Sequence, residues 1–204
     1  MPSYSYGRNK NIEMKEIDML AIGLTGPIGA GKDAVSEYLK EEHNFEAFSC
    51  GDAIREIARE EGLEPNRENL GMIGKERRQE EGKGFLGKKA AEMAKKDSSE
   101  TLVINGIRNP EEVEELRKKL ENSFVLVYVH ADEEIRFERL KERGRPGDPE
   151  TFPKFKEQDK KEKERFNMEE TFSMADRKLS NEGTLEDLYR RTDKLLSEIK
   201  QGRT

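Results

Sequence analysis

The most constraining feature of this 204-residue chain is a glycine-rich segment that separates a short apolar run from an amphipathic stretch. It reads GPIGAGKD, from Gly26 to Asp33, and fits the pattern G-x-x-x-x-G-K. The run 19–24 predicts a buried strand before it, and the pattern after it predicts a helix from residue 32. Glycines let backbone N–H groups point inward, the helix adds its positive end, and Lys32 adds a mobile cation. The sequence therefore predicts a phosphate-binding loop.

Short apolar runs alternate with amphipathic stretches along the rest of the chain. The predicted strands are residues 19–24, 45–49, 101–105, 124–130 and 177–180. The predicted helices are residues 32–42, 52–61, 67–80, 84–96, 109–121, 132–142, 151–170 and 184–200. The first, third and fourth strands are apolar in consecutive positions, which is typical of strands buried on both faces of a parallel sheet. This alternation predicts a doubly wound α/β domain with an all-helical inset over residues 50–100 and a Gly/Pro-rich loop at 143–153.

Composition excludes several classes of function. The net charge of −6 disfavours nucleic-acid binding and an anionic membrane surface, and no apolar run approaches the roughly 18 residues of a membrane span. The single cysteine, Cys50, fits a reducing compartment, and the two histidines, His43 and His130, lack the spacing of a zinc site. The N-terminus is polar and lacks a signal peptide, so we expect a cytoplasmic protein with a flexible extension at residues 1–17.

The metal-binding positions depart from the usual pattern. The residue after the loop lysine is normally Ser or Thr, but here it is Asp33, and the third strand ends in neutral Asn105 where an aspartate is usual. A carboxylate is a suitable oxygen ligand for Mg²⁺. One hypothesis is that the metal-binding carboxylate has moved from the strand end to the loop. The alternative is that Asp33 only caps or solvates its helix.

Four segments together resemble the nucleoside monophosphate kinase group of P-loop proteins, closest to its dephospho-CoA-kinase-like and archaeal nucleotide-kinase-like branch. They are the glycine-rich loop, the segment 49–55 (SCGDAIR), the segment 104–113 (INGIRNPEEV) and the stretch 175–184. The resemblance covers about residues 18–200. It implies a three-layer α/β P-loop NTPase sandwich with a five-stranded parallel sheet. It also implies a kinase domain over residues 18–204, with an acceptor-binding inset at about 50–97 and a lid at about 143–165.

The resemblance also implies the roles of individual residues. The ATP-binding residues would be Gly26, Pro27, Ile28, Gly29, Ala30, Gly31, Lys32, Asp33, Arg139, Asn181 and Gly183, with Asp33 as the metal ligand. The acceptor-binding residues would be Asp52, Arg55, Arg108 and Phe85, and the catalytic residues would be Lys32, Asp52, Arg108 and Arg143. Asn181-x-Gly183 is equally compatible with an ordinary turn, and Phe85 is more often a core residue than a base-stacking one.

The helix predicted at 132–142 leads into the proposed lid. Arg136, Arg139 and Arg143 are spaced by three and four residues and share one face. Glutamates interleave with them, so one interpretation is a helix stabilised by ion pairs. The other, implied by the family's R-x-x-x-R run, is a mobile cover whose arginines close over the phosphates and exclude water. The charged stretch 154–165 predicts a solvated helix.

The leading hypothesis is an ATP- and Mg²⁺-dependent phosphotransferase that acts on a nucleotide-type acceptor, either a nucleoside or deoxynucleoside monophosphate. A dephospho-CoA kinase, in which Asp52 would serve the attacking ribose hydroxyl, is the first alternative. A nucleotide-binding switch or pseudokinase is the second, and the departures at Asp33 and Asn105 favour it. We expect a small-molecule acceptor, neither a nucleic acid nor a membrane partner, and a monomer or homodimer.

Overall fold

The computed structural model describes residues 19–96 and 100–202. The predicted extension, residues 1–17, lies outside the described residues. The strands are β1 Leu20–Thr25, β2 Glu46–Ser49, β3 Thr101–Ile107, β4 Phe124–His130 and β5 Arg177–Ser180. The helices are α1 Lys32–His43, α2 Cys50–Glu60, α3 Arg67–Glu80, α4 Phe85–Lys96, α5 Pro110–Leu120, α6 Glu133–Arg143, α7 Phe152–Phe166, α8 Met168–Ser173 and α9 Leu185–Gln201.

The five strands form one parallel sheet in the order β2-β3-β1-β4-β5. Strand β1 is central, and Leu24 faces Asn105 of β3 on one side and Val127 of β4 on the other. The predicted fold class, an α/β doubly wound parallel sheet, is confirmed. Because the strands are parallel, the segments that follow them meet at one edge of the sheet, where open α/β sheets bind ligands.

The core explains why β1 is apolar at consecutive positions. Leu20, Ile22 and Leu24 pack into a cluster with side chains of α1 and α9, while Ala21 belongs to a second cluster with side chains of α2 to α5. Every residue of β1 is buried. Alternate residues of the strand therefore serve two separate cores, one on each face of the sheet.

The inset consists of α2, α3 and α4, which lie between edge strand β2 and strand β3 in the sequence. Ser49 caps α2 by accepting a hydrogen bond from the Asp52 amide, and Asn66 caps α3 in the same way from Asn69. Within the described residues, no helix is both long and apolar enough to cross a bilayer.

Two details of the predicted helix 151–170 were wrong. It is divided into α7 and α8 at Asn167, which adopts a left-handed conformation with φ of 51°. The charged stretch within α7 is also not fully solvated, because Phe155 and Asp159 are buried. The sequence did not predict this buried face, because Phe155 and Asp159 are single residues within a stretch of lysines and glutamates.

Candidate active site

The loop between β1 and α1 has a backbone that only glycine adopts easily. Gly26, Gly29 and Gly31 have φ values of 146°, 79° and 98°. A Cβ atom at Gly26 would lie 2.1 Å from the carbonyl oxygen of Val129, and one at Gly31 would lie 2.2 Å from Nδ2 of Asn181. The loop is therefore fixed by close packing as well as by its own conformation.

Lys32, the first residue of α1, folds back over this loop. Its Nζ donates to the carbonyl oxygens of Gly26 at 2.7 Å and Pro27 at 2.9 Å. Burial, followed by the positive charge of Arg108, lowers the pKa of Lys32 from 10.5 to about 8, against the opposing effect of Asp33. Within residues 19–96 and 100–202, no carboxylate forms an ion pair with this ammonium group. The ammonium group is thus desolvated, and it donates only to neutral carbonyl oxygens. An anionic ligand would bind this group more strongly than those carbonyl oxygens do.

Asp33, in the first turn of α1, is in direct contact with Asn105 of β3. Nδ2 of Asn105 donates to Oδ1 of Asp33 at 2.9 Å, and the buried Oδ1 of Asn105 has no partner in the described part of the chain. No group of three or more His, Cys, Asp or Glu side chains able to bind a metal occurs among the described residues. Mg²⁺ is usually bound through one or two carboxylates together with substrate phosphates and water. One carboxylate and a free amide oxygen beside a phosphate-binding loop fit that arrangement.

A buried ion pair that the sequence did not predict supports the loop between β1 and α1. It involves α6, the helix that follows β4. Arg136 of α6 is 2% exposed, and its guanidinium donates to both carboxylate oxygens of Asp159 in α7, at 2.7 and 3.0 Å. Its Nη1 also donates to the carbonyl oxygen of Ile28 at 3.0 Å. Arg136 therefore supports the loop and does not belong to a mobile cover. The sequence did not predict this role, because the spacing of Arg136, Arg139 and Arg143 does not distinguish the buried arginine from the other two.

The predicted ATP-binding residues at the far side of the loop lie together. Nη2 of Arg139 donates to Oδ1 of Asn181 at 3.2 Å and to the carbonyl oxygen of Gly183 at 3.5 Å, while its buried Nη1 has no partner among the described residues. Asn181 is buried and donates to the carbonyl oxygen of Ala30 at 2.9 Å. Burial lowers the pKa of Arg139. The turn after β5 is therefore tied directly to the phosphate-binding loop.

Arg108 lies in the turn after β3. Its Nη1 forms an ion pair with Glu162 of α7 at 2.8 Å, and its backbone amide donates to the buried carboxylate of Glu112 at 2.8 Å. Lys32 follows β1, the strand next to β3, and besides burial the positive charge of Arg108 lowers the pKa of Lys32. The structure thus brings these two predicted catalytic residues to the same edge of the sheet.

Other predicted residues have partners of their own. Asp52 and Arg55, at the start of α2, form an exposed ion pair with an N–O distance of 2.6 Å. Arg143 donates through Nε and Nη2 to Asp148, at 3.0 and 2.6 Å.

The prediction that Phe85 stacks on an acceptor base needs correction. Its side chain is 1% exposed and belongs to the core, with the guanidinium of Arg78 5.6 Å from the ring centroid. The ring has no free face for a base in this structure. Its position at the start of an amphipathic helix explains the burial, because α4 packs its apolar face against α5 and β3.

The sequence matches one family model and several known proteins. A family model described as "AAA domain" matches residues 22–167. The chain is 37% identical over 179 residues to a UPF0200 protein of Thermococcus kodakarensis, covering 86% of this chain and 96% of that one. It is 33% identical over 180 residues to a UPF0200 protein of Hyperthermus butylicus, covering 88% of this chain and 95% of that one.

Solved structures share the fold. A gluconokinase from Sinorhizobium meliloti matches with a TM-score of 0.58 at 16% identity, covering 90% of this chain and 94% of that one. A shikimate kinase from Acinetobacter baumannii matches with a TM-score of 0.55 at 19% identity, covering 88% of this chain and 94% of that one. The molecule therefore has a P-loop kinase-like fold.

Proposed function

Because the chain belongs to the UPF0200 family and its residues 22–167 to the AAA domain family, we propose that it is an ATP-dependent phosphotransferase acting on a nucleotide-type acceptor. The gluconokinase and shikimate kinase with the same fold support transfer to a small molecule. The observation that carries the proposal is the placement of Lys32 and Arg108. Lys32 begins the helix after β1 and Arg108 lies in the turn after β3, so two cations follow neighbouring strands at one edge of the sheet, and the charge of Arg108 adds to burial in lowering the pKa of Lys32. Such an arrangement is favourable when a polyanion lies between them.

Each residue then has a definite task in phosphoryl transfer. The acceptor oxygen forms a bond to the γ-phosphorus while the bond to the β–γ bridging oxygen breaks, and ADP leaves. The loop amides and Lys32 bind the donor phosphates, and Arg108 neutralises the migrating group. Asp33 and Asn105 would hold Mg²⁺, which when bound neutralises phosphate charge and orients the donor.

The cover over the site belongs, in this proposal, to the loop that follows α6. Residues 144–151 connect α6 to α7, and Gly144 ends α6 in a left-handed conformation with φ of 57°. The pair between Arg143 and Asp148 holds this loop against the end of α6. We expect Arg143 to exchange Asp148 for phosphate oxygens when the donor binds, so that water is excluded from the transfer.

A nucleoside monophosphate is favoured over dephospho-CoA as the acceptor. The phosphate oxygen of a monophosphate is already ionised and needs no general base, whereas a ribose hydroxyl benefits from one. Asp52 is the carboxylate available for that task, but in this structure it is paired with Arg55. A nucleotide-binding switch that transfers nothing is the remaining alternative.

The test is a product assay with the full chain, Mg·ATP and a panel of acceptors, read by mass spectrometry. The panel contains the common ribo- and deoxyribonucleoside 5′-monophosphates and dephospho-CoA. We expect one nucleoside diphosphate product, lost in Lys32→Met and kept in the control Lys40→Met, which alters an exposed lysine of the same helix. Phosphorylated dephospho-CoA would establish the alternative kinase. ATP binding without product would establish the switch, and absence of calorimetric heat with ATP, with or without Mg²⁺, would end the proposal.

A further inference from the structure

Three arginines from different parts of the fold surround one phenyl ring. The guanidinium carbons of Arg78 in α3, Arg108 after β3 and Arg165 in α7 lie 5.0, 5.3 and 5.1 Å from the ring centroid of Phe166. Phe166 is 9% exposed. Cation–π contact partly offsets the desolvation of a guanidinium, but it does not use its hydrogen-bond donors. We call Arg78, Arg108, Arg165 and Phe166 the arginine cluster.

Arg78 is the member of this cluster that has a buried donor without a partner among the described residues. Its Nη1 donates to the carbonyl oxygen of Gly74 at 2.8 Å, and its Nη2 reaches Glu112 only at 3.4 Å. Its buried Nε has no hydrogen-bond partner in residues 19–96 and 100–202. A planar guanidinium with a weak ion pair and an unused donor retains capacity for an oxyanion.

The carboxylate of Glu112 is occupied mainly by other donors. It accepts from the backbone amides of Arg108 and Asn109 at 2.8 and 3.2 Å, and from Nδ2 of Asn109 at 2.9 Å. Glu112 is 1% exposed, so it fixes the turn that carries Arg108. Arg78 forms an ion pair with this carboxylate at 3.4 Å, and the Nε of Arg78 remains without a partner among the described residues.

Arg108 connects the arginine cluster to the donor site. Its positive charge lowers the pKa of both Lys32 and Arg78, although burial is the larger cause for each. The guanidinium carbons of Arg78 and Arg108 lie 5.0 and 5.3 Å from the centroid of the same ring, and Lys32 follows β1, the strand next to β3. A donor phosphate at Lys32 and an acceptor phosphate at Arg78 would therefore both lie at the sheet edge that carries Arg108, where phosphoryl transfer needs the charge of the migrating group to be neutralised.

We propose that the guanidinium groups of Arg78 and Arg108 together bind the phosphate of a phosphomonoester acceptor beside the ring of Phe166. This inference rests on the proposed function and assigns to Arg78 a role that no sequence motif gave it. Arg165 stays at the rim of the cluster, because it is exposed and donates to the carbonyl oxygen of Gly71.

Helix α3 is built to let Arg78 lie close to its backbone. A Cβ atom at Gly74 would lie 2.9 Å from Nη1 of Arg78, which is the far end of a flexible side chain. Alanine is favoured over glycine inside a helix. Gly74→Ala should therefore leave the fold intact while displacing the guanidinium, which separates positioning from stability.

The experiment measures binding by calorimetry of the nucleoside 5′-monophosphates, with inorganic phosphate and the corresponding nucleosides as further probes, on the full chain saturated with Mg²⁺ and a non-hydrolysable ATP analogue. We expect Arg78→Lys, which keeps the charge beside Glu112 but loses the planar fork, to weaken monophosphate binding about tenfold. Gly74→Ala should weaken it in the same direction, with an unchanged or higher unfolding temperature. Affinity for the ATP analogue should stay within twofold in both.

Arg77→Lys is the matched control, because Arg77 neighbours Arg78 but pairs with Glu61 at 2.6 Å. Its monophosphate affinity should equal that of the unmodified chain. Unchanged monophosphate affinity in both Arg78→Lys and Gly74→Ala would overturn the arginine cluster as the acceptor site, even if the enzyme forms product. Binding that depends on Arg78 without any product would instead refute the proposed phosphotransfer while retaining the site. Binding of nucleosides as tight as that of their monophosphates, or no binding of any monophosphate, would also overturn the site.

Discussion

The loop after β1 and the turn after β3 lie at the ends of neighbouring strands, but they are stabilised in opposite ways. The loop depends on glycine backbone conformations and on side chains that donate to its carbonyls, and its cation Lys32 has only neutral acceptors. The turn depends on carboxylates, because Glu112 fixes its backbone and Glu162 pairs with Arg108. In our proposal, the first is a preformed site for an anion. The second is a set of ion pairs that an anion must compete with or rearrange.

The largest expected effect comes from removing the support of the loop. Arg136→Met leaves the buried carboxylate of Asp159 without its bidentate partner and removes the bond to Ile28. We expect a loss of about 3–5 kcal/mol of unfolding free energy, measured by denaturant titration. Lys141→Met, which alters an exposed residue of the same helix, is the control and should change stability by less than about 1 kcal/mol. Equal losses in the two variants would contradict the assigned role.

The next largest effect concerns the unpaired cation of the loop. Lys32→Met should weaken ATP binding and transfer by about 100-fold or more, since it removes the donor that faces the phosphates. The same change should stabilise the ligand-free chain, because it removes a desolvated charge. Calorimetry and thermal unfolding of one preparation measure both effects. Loss of stability together with unchanged ATP affinity would show that Lys32 is structural.

The pKa of Lys32 gives this prediction a pH dependence. The folded-state value is about 8 and the ordinary value is 10.5, so the folded chain binds fewer protons than the unfolded chain between these limits. The destabilisation, up to about 3 kcal/mol, is complete below pH 8 and disappears as pH rises towards 10.5. The stability advantage of Lys32→Met should shrink over that window. An advantage that is constant between pH 7 and 10.5 would contradict the assignment.

A smaller effect is expected where the loop and strand β3 meet. Asn105→Asp places a second carboxylate at hydrogen-bond distance from Asp33, which should destabilise the metal-free chain by about 1–2 kcal/mol. Adding Mg²⁺ should restore more stability to this variant than to the unmodified chain. Adding Asp33→Ser should relieve the repulsion and return the carboxylate to the strand. If the double variant is no more stable than Asn105→Asp without metal, the two positions are not coupled.

The smallest effect on stability is expected at the partly buried ion pair of the cover. Arg143→Gln removes an ion pair with Asp148, which should change the unfolding free energy by less than about 1 kcal/mol. If Arg143 moves to the phosphates on closure, transfer should nevertheless slow about tenfold. Asp148→Asn is the comparison, since it frees Arg143 without removing it. A rate that falls equally in both variants would indicate that the pair acts only by shaping the loop.

Much of the architecture was predictable because it depends on local patterns. Consecutive apolar residues identified the buried strands, and the glycine spacing located the loop that the structure describes between β1 and α1. For Asp33 and Asn105, the sequence predicted only that the metal-binding carboxylate has moved from the strand to the loop, and it did not predict that the two side chains are in contact. Their direct contact depends on the β1–β3 register, which no local pattern contains.

The features that escaped the sequence are contacts between distant charged residues. Arg136 and Asp159 are 23 residues apart, and Arg78 and Glu112 are 34 apart, each within a segment crowded with other charges. In a chain with 40% charged residues, composition cannot tell which few are buried. Phe85 was a different case, because an aromatic residue between glycines is typical both of a core position and of a ligand contact, and the sequence did not decide between the two.

The bonds from Arg136 to Ile28 and from Asn181 to Ala30 anchor two successive stretches of the same short loop from outside it. Segments that are far apart in the chain thus hold its peptide groups in place before any nucleotide arrives. Association of the donor should then proceed in one kinetic phase at a rate governed by encounter. Engagement of the second substrate, which has to exchange existing ion pairs, should be the slower step and the one more sensitive to ionic strength.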